Sequence, residues 1–365
     1  IPSIQNEIFS DNINLGELFF LEFRDELILF LKKFIEISNI IKLNPHSHYY
    51  VSENMLELIS PLTKNVTKMN IKNKDISIYN SIDVPLKFGS KQLTIKLSTK
   101  NVSKTQNFLN KITQILFLNK KINQKFPSIL LVNFSTIKNE ELLLKIPNFH
   151  LNVIKYDRTT AAIWNKHSLN IIKNSNCVVE NEFTLLDKTS LEKIKQKEHL
   201  FSSKLDSILS SKDLEIHFSL NQLNFWSAFK PLFMRLCNKR FLQATKDIEL
   251  AKNLLKKFSF SKILLFHESG MVEQIILKLA KQQKIPIFVL QHGMYFDSKE
   301  RLTENHFQRL IPKNSDNVVV WGNLFKNYLL NNGVDSNKIK VFGSVFFDKL
   351  FQNKISSHSD SGYVL

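Results

Sequence analysis

The sequence predicts an α/β fold in which a parallel sheet carries helices on both faces, behind a mixed, mostly helical N-terminal region. Three observations carry that prediction. From Pro127 onward, short apolar runs alternate with amphipathic stretches, the order of β-α-β units. Most of the runs are nearly continuous, without the polar alternation of a half-exposed strand, as strands covered on both faces require. Polar residues and glycines gather directly after the runs, where open α/β sheets place their ligands.

The elements follow in order. Residues 16–43 form a helical pattern, with Leu18, Phe19, Leu27, Phe30, Phe34 and Ile37 on one broad side and Asp25, Lys32, Lys33 and Glu36 interrupting it. Asn44, Pro45 and His46 stop it. A shorter alternating stretch, 75–98, predicts a small β element, and 102–125 returns to helix. Strands are then expected at 128–134, 150–156 and 176–180, with a short helical stretch running to about Lys145 and a helix at 160–173 between them. A polar helix follows at 188–210. A long helical region, 221–258, is expected to be interrupted at Pro231. The cleanest alternation comes last: strand 262–266, helix 270–283, strand 285–290, strand 317–321, helix 323–332 and strand 338–342.

Composition bounds the function. The 365 residues are 43% hydrophobic, enough for two domains with a sizeable core. The net charge of +17 raises nucleic acid as a partner, but only six of the 50 basic residues are arginine. Specific readers of nucleic acid rely on arginine's bidentate fork, so no nucleic-acid partner is expected. Cys177 and Cys237 offer neither a disulfide framework nor metal spacing, and no metal is expected. A reducing cytoplasmic compartment fits. No uncharged apolar run is long enough to span a bilayer. The segment from Asn224 to Phe241 mixes aromatics with Lys230, Arg235, Lys239 and Arg240. It is a candidate peripheral contact with the inner face of a membrane, weighed against an ordinary packed helix. The chain begins at Ile1 and its last residues read like the start of a strand, which suggests a piece of a longer protein, inactive alone.

Four turns carry the candidate site. His267, Glu268, Ser269 and Gly270 follow the 262–266 strand and open a helix, a position suited to anions but equally to plain capping. Gln291, His292 and Gly293 follow the 285–290 strand. There a neutral imidazole can take a proton from a hydroxyl and a glycine permits a sharp turn or close approach. Gly322 follows Trp321, and Gly343, Ser344 and Asp348 follow the last complete strand. Nothing resembles a Walker or dinucleotide phosphate loop.

The order of these turns, over about residues 260–350, resembles the acceptor half of GT-B transferases of surface and capsular polysaccharide biosynthesis. It is similar to the CDP-glycerol glycerophosphotransferases and, more distantly, to the UDP-N-acetylglucosamine 2-epimerases. The resemblance implies a Rossmann-like domain over 121–350, the first half of a GT-B fold. Residues 1–120 would be a helical and small-β region without an assigned role, and 351–365 a linker and the truncated start of a second Rossmann-like domain. It implies His292 as the base that activates an acceptor hydroxyl. Glu268 would orient His292 or a substrate hydroxyl. His267, Ser269, Gly270, Gln291, Gly293, Gly322, Gly343, Ser344 and Asp348 would border the substrate. No cofactor is implied; the donor is a nucleotide-activated sugar or polyol, and the acceptor a lipid-linked or other glycan. Two departures stand out. The residues after His292-Gly293 are Met294, Tyr295, Phe296 and Asp297 where the glycerophosphotransferases typically have Thr-Pro-Leu-Lys. Val345 replaces the proline of a Gly-x-Pro-x-x-Asp turn. A nucleotide-sugar 2-epimerase and a non-catalytic binding protein of the same pathway are the alternatives.

Overall fold

The structure, a computed structural model, describes residues 8–69, 81–88, 91–117, 120, 122–210, 215–220, 223–293 and 311–344. The chain divides into two compact units, each built from separated stretches. One comprises Ile1–Lys104 and Leu186–Leu250, the other Thr105–Leu185 and Ala251–Leu365.

The second unit holds a seven-stranded sheet. Its strands are β1 (Ser128–Val132), β2 (Asn152–Tyr156), β3 (Val178–Glu180), β4 (Phe260–Leu265), β5 (Ile287–Leu290), β6 (Asn317–Val320) and β7 (Ile339–Val341), in the spatial order β7-β6-β5-β4-β1-β2-β3. Every neighbouring pair is parallel. The fold is therefore α/β with a Rossmann-like sheet, as the runs of Ile, Leu and Val predicted. Parallel crossovers are right-handed. From β1 the chain steps outward through β2 to β3, and from β4 it steps the opposite way to β7. Helices of the two halves therefore fall on opposite faces, and the order reverses between β1 and β4.

Two buried clusters pack on the sheet, the first reaching Leu264 of β4 and Leu290 of β5 as well. Leu131 and Val153 pack with Leu143 of helix Glu140–Lys145 and Ile171 of helix Lys166–Asn174. Val318, Val320 and Ile339 pack with Phe325 and Leu329 of helix Asn323–Asn331. Helix Met271–Gln282 buries Val272, Ile275, Ile276, Leu279 and Ala280, the spacing of one helical face. A polar exception lies within β2. Lys155 is wholly buried and ion-paired with buried Asp157, just past the strand. Burial pushes the Asp157 carboxyl up, against the pull of Lys155.

Several sequence expectations are corrected here. The helix expected at 102–125 is Thr99–Phe117, and residues 122–127 are not helical. The helix expected from Thr160 begins only at Lys166. Asn165 accepts from the Ser168 amide at 2.9 Å, while the Ser168 hydroxyl accepts from the Asn165 amide at 3.0 Å. That reciprocal cap fixes the start, and Ala161, Ala162 and Ile163 are buried ahead of it.

Pro231 does not interrupt its helix, which runs unbroken as Trp226–Lys257. The residue removes a hydrogen-bond donor, and the packing of the neighbouring aromatics holds the turn. In the first unit Phe229 has no exposed surface. Its ring lies 4.9 Å from Phe30, 5.4 Å from Phe218 and 6.0 Å from Phe23, centroid to centroid. Phe225, Trp226, Leu236 and Phe241 are also buried. Arg240 pairs with Glu22 at 2.6 Å and Arg235 with Glu57 at 3.2 Å. The expected membrane contact from Asn224 to Phe241 is thus a packed helix: most of the side chains needed for insertion form the core, and both arginines have carboxylate partners. Among the described residues no helix is long and apolar enough to cross a membrane. The β element expected at 75–98 is the antiparallel hairpin of Ser81–Phe88 with Lys91–Ser98; residues 75–80 lie outside the described ones.

Truncating a fully buried aromatic removes its transfer free energy and leaves a cavity. Phe229→Ala should lower stability by about 3–5 kcal/mol, read as a lower urea midpoint. Phe229→Leu, which keeps most of the volume, should lose much less.

Candidate functional site

Ligands of open α/β sheets bind outside the carboxyl ends of the strands, at the point where the strand order reverses. That point is the crevice between the loops after β1 and β4, and its residues come from both halves of the sheet. Asn133, directly after β1, adopts a left-handed backbone with φ 55°, a conformation asparagine tolerates. Its Oδ1 accepts from the amides of Arg158 at 2.8 Å and Thr159 at 3.3 Å, after β2. Its Nδ2 donates to Glu273 Oε1 at 2.7 Å. Phe134 stacks on Phe266, after β4, with centroids 4.1 Å apart.

His267 follows Phe266. Its Nδ1 lies 3.3 Å from the Gly270 amide and 3.3 Å from the Ser269 hydroxyl, and its Nε2 is 3.8 Å from Glu273 Oε1. Gly270 caps the helix Met271–Gln282. A Cβ on it would come within 2.9 Å of both Glu273 Cδ and His267 Cε1, so any other residue would push those two side chains aside, while its dihedral angles make no demand for glycine. The ring of His292, after β5, lies 5.9 Å from those of His267 and Phe266. Partial burial, reinforced by His267, holds the His292 imidazole below its usual pKa. It is therefore neutral near pH 7 and able to accept a proton.

Beside this group lies a mainly apolar cavity of about 380 Å³, walled by Ile137, Leu142, Phe266, Leu290, Trp321 and Phe342, with Gln291, Lys138 and Gly343 also lining it. It has the volume of a small-ligand pocket.

The sequence-assigned residues divide. His267, Ser269, Gly270 and His292 meet at the crevice, and Gln291 and Gly343 line the cavity. Gln291 has a clear internal role: its Oε1 accepts from the Trp321 amide at 2.8 Å and its Nε2 donates to the Gly293 carbonyl at 2.9 Å. Glu268 is buried and faces away from its expected role. Its carboxylate accepts from the amides of Lys313 at 3.2 Å, Asn314 at 3.0 Å and Ser315 at 2.6 Å, anchoring the segment ahead of β6. Gly293 and Gly322 have open space where a Cβ would stand and no positive φ, so neither backbone demands glycine. Gly343 does, at φ 81°. Ser344 is half-buried at the end of the described residues, and Asp348 lies outside them. Asn133 and Glu273 were not singled out in the sequence. A polar residue closing the β1 run and an acid on the first turn after Gly270 were the available signals. Among the described residues no group of His, Cys, Asp and Glu is placed to hold a metal ion.

No protein-family model matches the sequence, and no curated protein matches it. Among the solved structures that are similar to the chain at a distance are three epimerases. The first is a crystal structure of UDP-N-acetylglucosamine 2-epimerase, at 11% identity over 65% of this chain and 53% of that one, with a TM-score of 0.36. The second is the UDP-GlcNAc 2-epimerase from Neisseria meningitidis bound to UDP-GlcNAc, at 15% identity over 62% and 50%, with a TM-score of 0.34. The third is the UDP-N-acetylglucosamine 2-epimerase from Rickettsia bellii, at 12% identity over 64% and 49%, with a TM-score of 0.33. The chain spans about half the length of each.

The depressed pKa of His292 has a consequence for stability. The unfolded chain, with an imidazole near 6.5, takes up a proton before the folded one does. His292 therefore costs stability as pH falls below 6.5, and the loss levels off below its folded pKa. Urea unfolding at several pH values should show a shallower acid loss in His292→Gln than in the wild type.

Proposed function

We propose that this chain carries the acceptor-binding half of a GT-B enzyme that transfers a sugar or polyol-phosphate unit from a nucleotide-activated donor to a surface-glycan acceptor. The observation that carries the reading is the neutral His292 imidazole, after β5 and one strand from the strand-order reversal, beside His267 and next to Gln291 of the apolar cavity. An acceptor hydroxyl placed there loses its proton to His292 as its oxygen attacks the donor, and the nucleotide departs with the electron pair of the broken bond. General-base assistance of this kind contributes about 10²–10⁴-fold in rate. Glu268 is left out of the chemistry on this reading, because its oxygens are engaged by the 313–315 amides. The apolar cavity would receive the less polar part of a lipid-linked acceptor or the apolar face of a sugar ring.

A second reading, a nucleotide-sugar 2-epimerase, has one observation in its favour. Two imidazoles and a buried carboxylate share one crevice, as acid–base chemistry on a single substrate requires.

The test compares the full-length parent protein with its His292→Ala variant for consumption of nucleotide sugars with and without glycan acceptors. The transferase reading expects acceptor-dependent release of nucleotide that drops about 10²-fold or more in the variant. Unchanged turnover removes His292 from the mechanism. A new epimer formed from UDP-N-acetylglucosamine alone replaces the first reading with the second.

A further inference from the structure

The helix Met271–Gln282 points its N-terminus at the crevice, and free amides at such a terminus attract anions. Here a carboxylate of the same helix already occupies that end. Glu273, on the first turn, folds back over Gly270 so closely that no Cβ fits between them. Asn133 fixes Oε1 at 2.7 Å. The side chain is only 4% exposed, and its ion-pair contact among the described residues is His267 at 3.8 Å. The Nδ1 of His267 faces the Gly270 amide, which can only donate. Nδ1 is therefore the acceptor, and Nε2 is the N–H donor turned toward Glu273. Among the described residues, other charged or titratable groups at this end of the sheet include Lys138 after β1, Asp157 and Arg158 after β2, and His292 after β5; Asp157 is paired with Lys155, Arg158 with Glu182, and the Glu268 carboxylate is engaged by 313–315.

We propose that Glu273 is a specificity-determining residue: its fixed carboxylate keeps phosphate and other anions off this helix terminus and reserves the crevice for an uncharged, hydroxyl-bearing group. This rests on the transferase reading for the identity of that group, the acceptor hydroxyl next to His292. The exclusion of anions is a property of the chain alone. The donor's phosphates must then be held elsewhere than at this terminus.

Inorganic phosphate titrated into ¹⁵N-labelled protein, followed at the Met271 and Val272 amides, tests the proposal without any measurement of turnover. The wild type and Glu273→Asp, which keep the charge, should show no saturable shift. Glu273→Gln keeps an oxygen for Asn133 and loses the charge, and should bind phosphate about tenfold or more tighter, since the fixed like charge no longer opposes the anion. Glu273→Ala should show the same gain and serves if the Gln variant does not fold. Wild-type binding at these amides as tight as that of the variants overturns the proposal. So does a folded Glu273→Gln or Glu273→Ala protein that still ignores phosphate.

Discussion

One side-chain amide organises the carboxyl end of the sheet. Asn133 accepts from the Arg158 and Thr159 amides through one atom and donates to Glu273 through the other. It thereby joins the loops after β1 and β2 to the helix after β4, across the reversal of strand order. A primary amide suits this position because it is donor and acceptor at once; a carboxylate there would meet Glu273 as a like charge. The left-handed backbone at Asn133 is the local cost of presenting both ends of the amide. With Glu273 held, His267 and Gly270 have fixed partners, and His267 in turn lies against His292.

The crevice and the cavity beside it are stiffened by different means. On one side the bonds are polar and cross from loop to helix. On the other, Gln291 ties the turn after β5 to the end of β6 through the Trp321 amide, and Glu268 fastens the segment before β6. Both carry a conspicuous polar side chain at a strand end, and both are used to brace backbone. Buried carboxylates and amides with all their lone pairs engaged are poor candidates for chemistry, because substrate must displace bonds worth about 1–3 kcal/mol each. On the proposed reading, proton transfer falls to the imidazoles.

The sheet was legible in the sequence because strands buried on both faces write themselves as uninterrupted Ile, Leu and Val. The placing of His267 and His292 at strand ends followed from the same pattern. Helix boundaries were less legible: the capping box at Asn165 and Ser168 decides a start that periodicity alone sets several residues early. The segment from Asn224 to Phe241 shows a different limit. Aromatics beside basic residues describe an amphipathic surface, but composition does not say whether Phe229 meets lipid or Phe30. Partners far apart in the chain were invisible for the same reason. Asn133 and Glu273 are 140 residues apart, and the groups that bind Glu268 are backbone amides, which leave no mark in the sequence. Nor does linear reading find that residues 186–250 join the first 104 as one compact unit.

That interleaving bears on how the chain acquires its structure. The two halves of the sheet meet only along β1 and β4, whose hydrogen-bonded residues Ser128 and Ser261 are 133 positions apart. Everything from Leu186 to Leu250, about half of what separates them, belongs to the other unit. On a growing polypeptide β1, β2 and β3 emerge early with the free edge of β1 exposed, and the strand that covers it arrives only after that whole insertion has been made. Long-range parallel pairing is slow, and unpaired edges associate with other chains. The interval before β4 docks is therefore an aggregation-prone stage of biosynthesis, and the seam where the crevice lies cannot close until β4 has emerged.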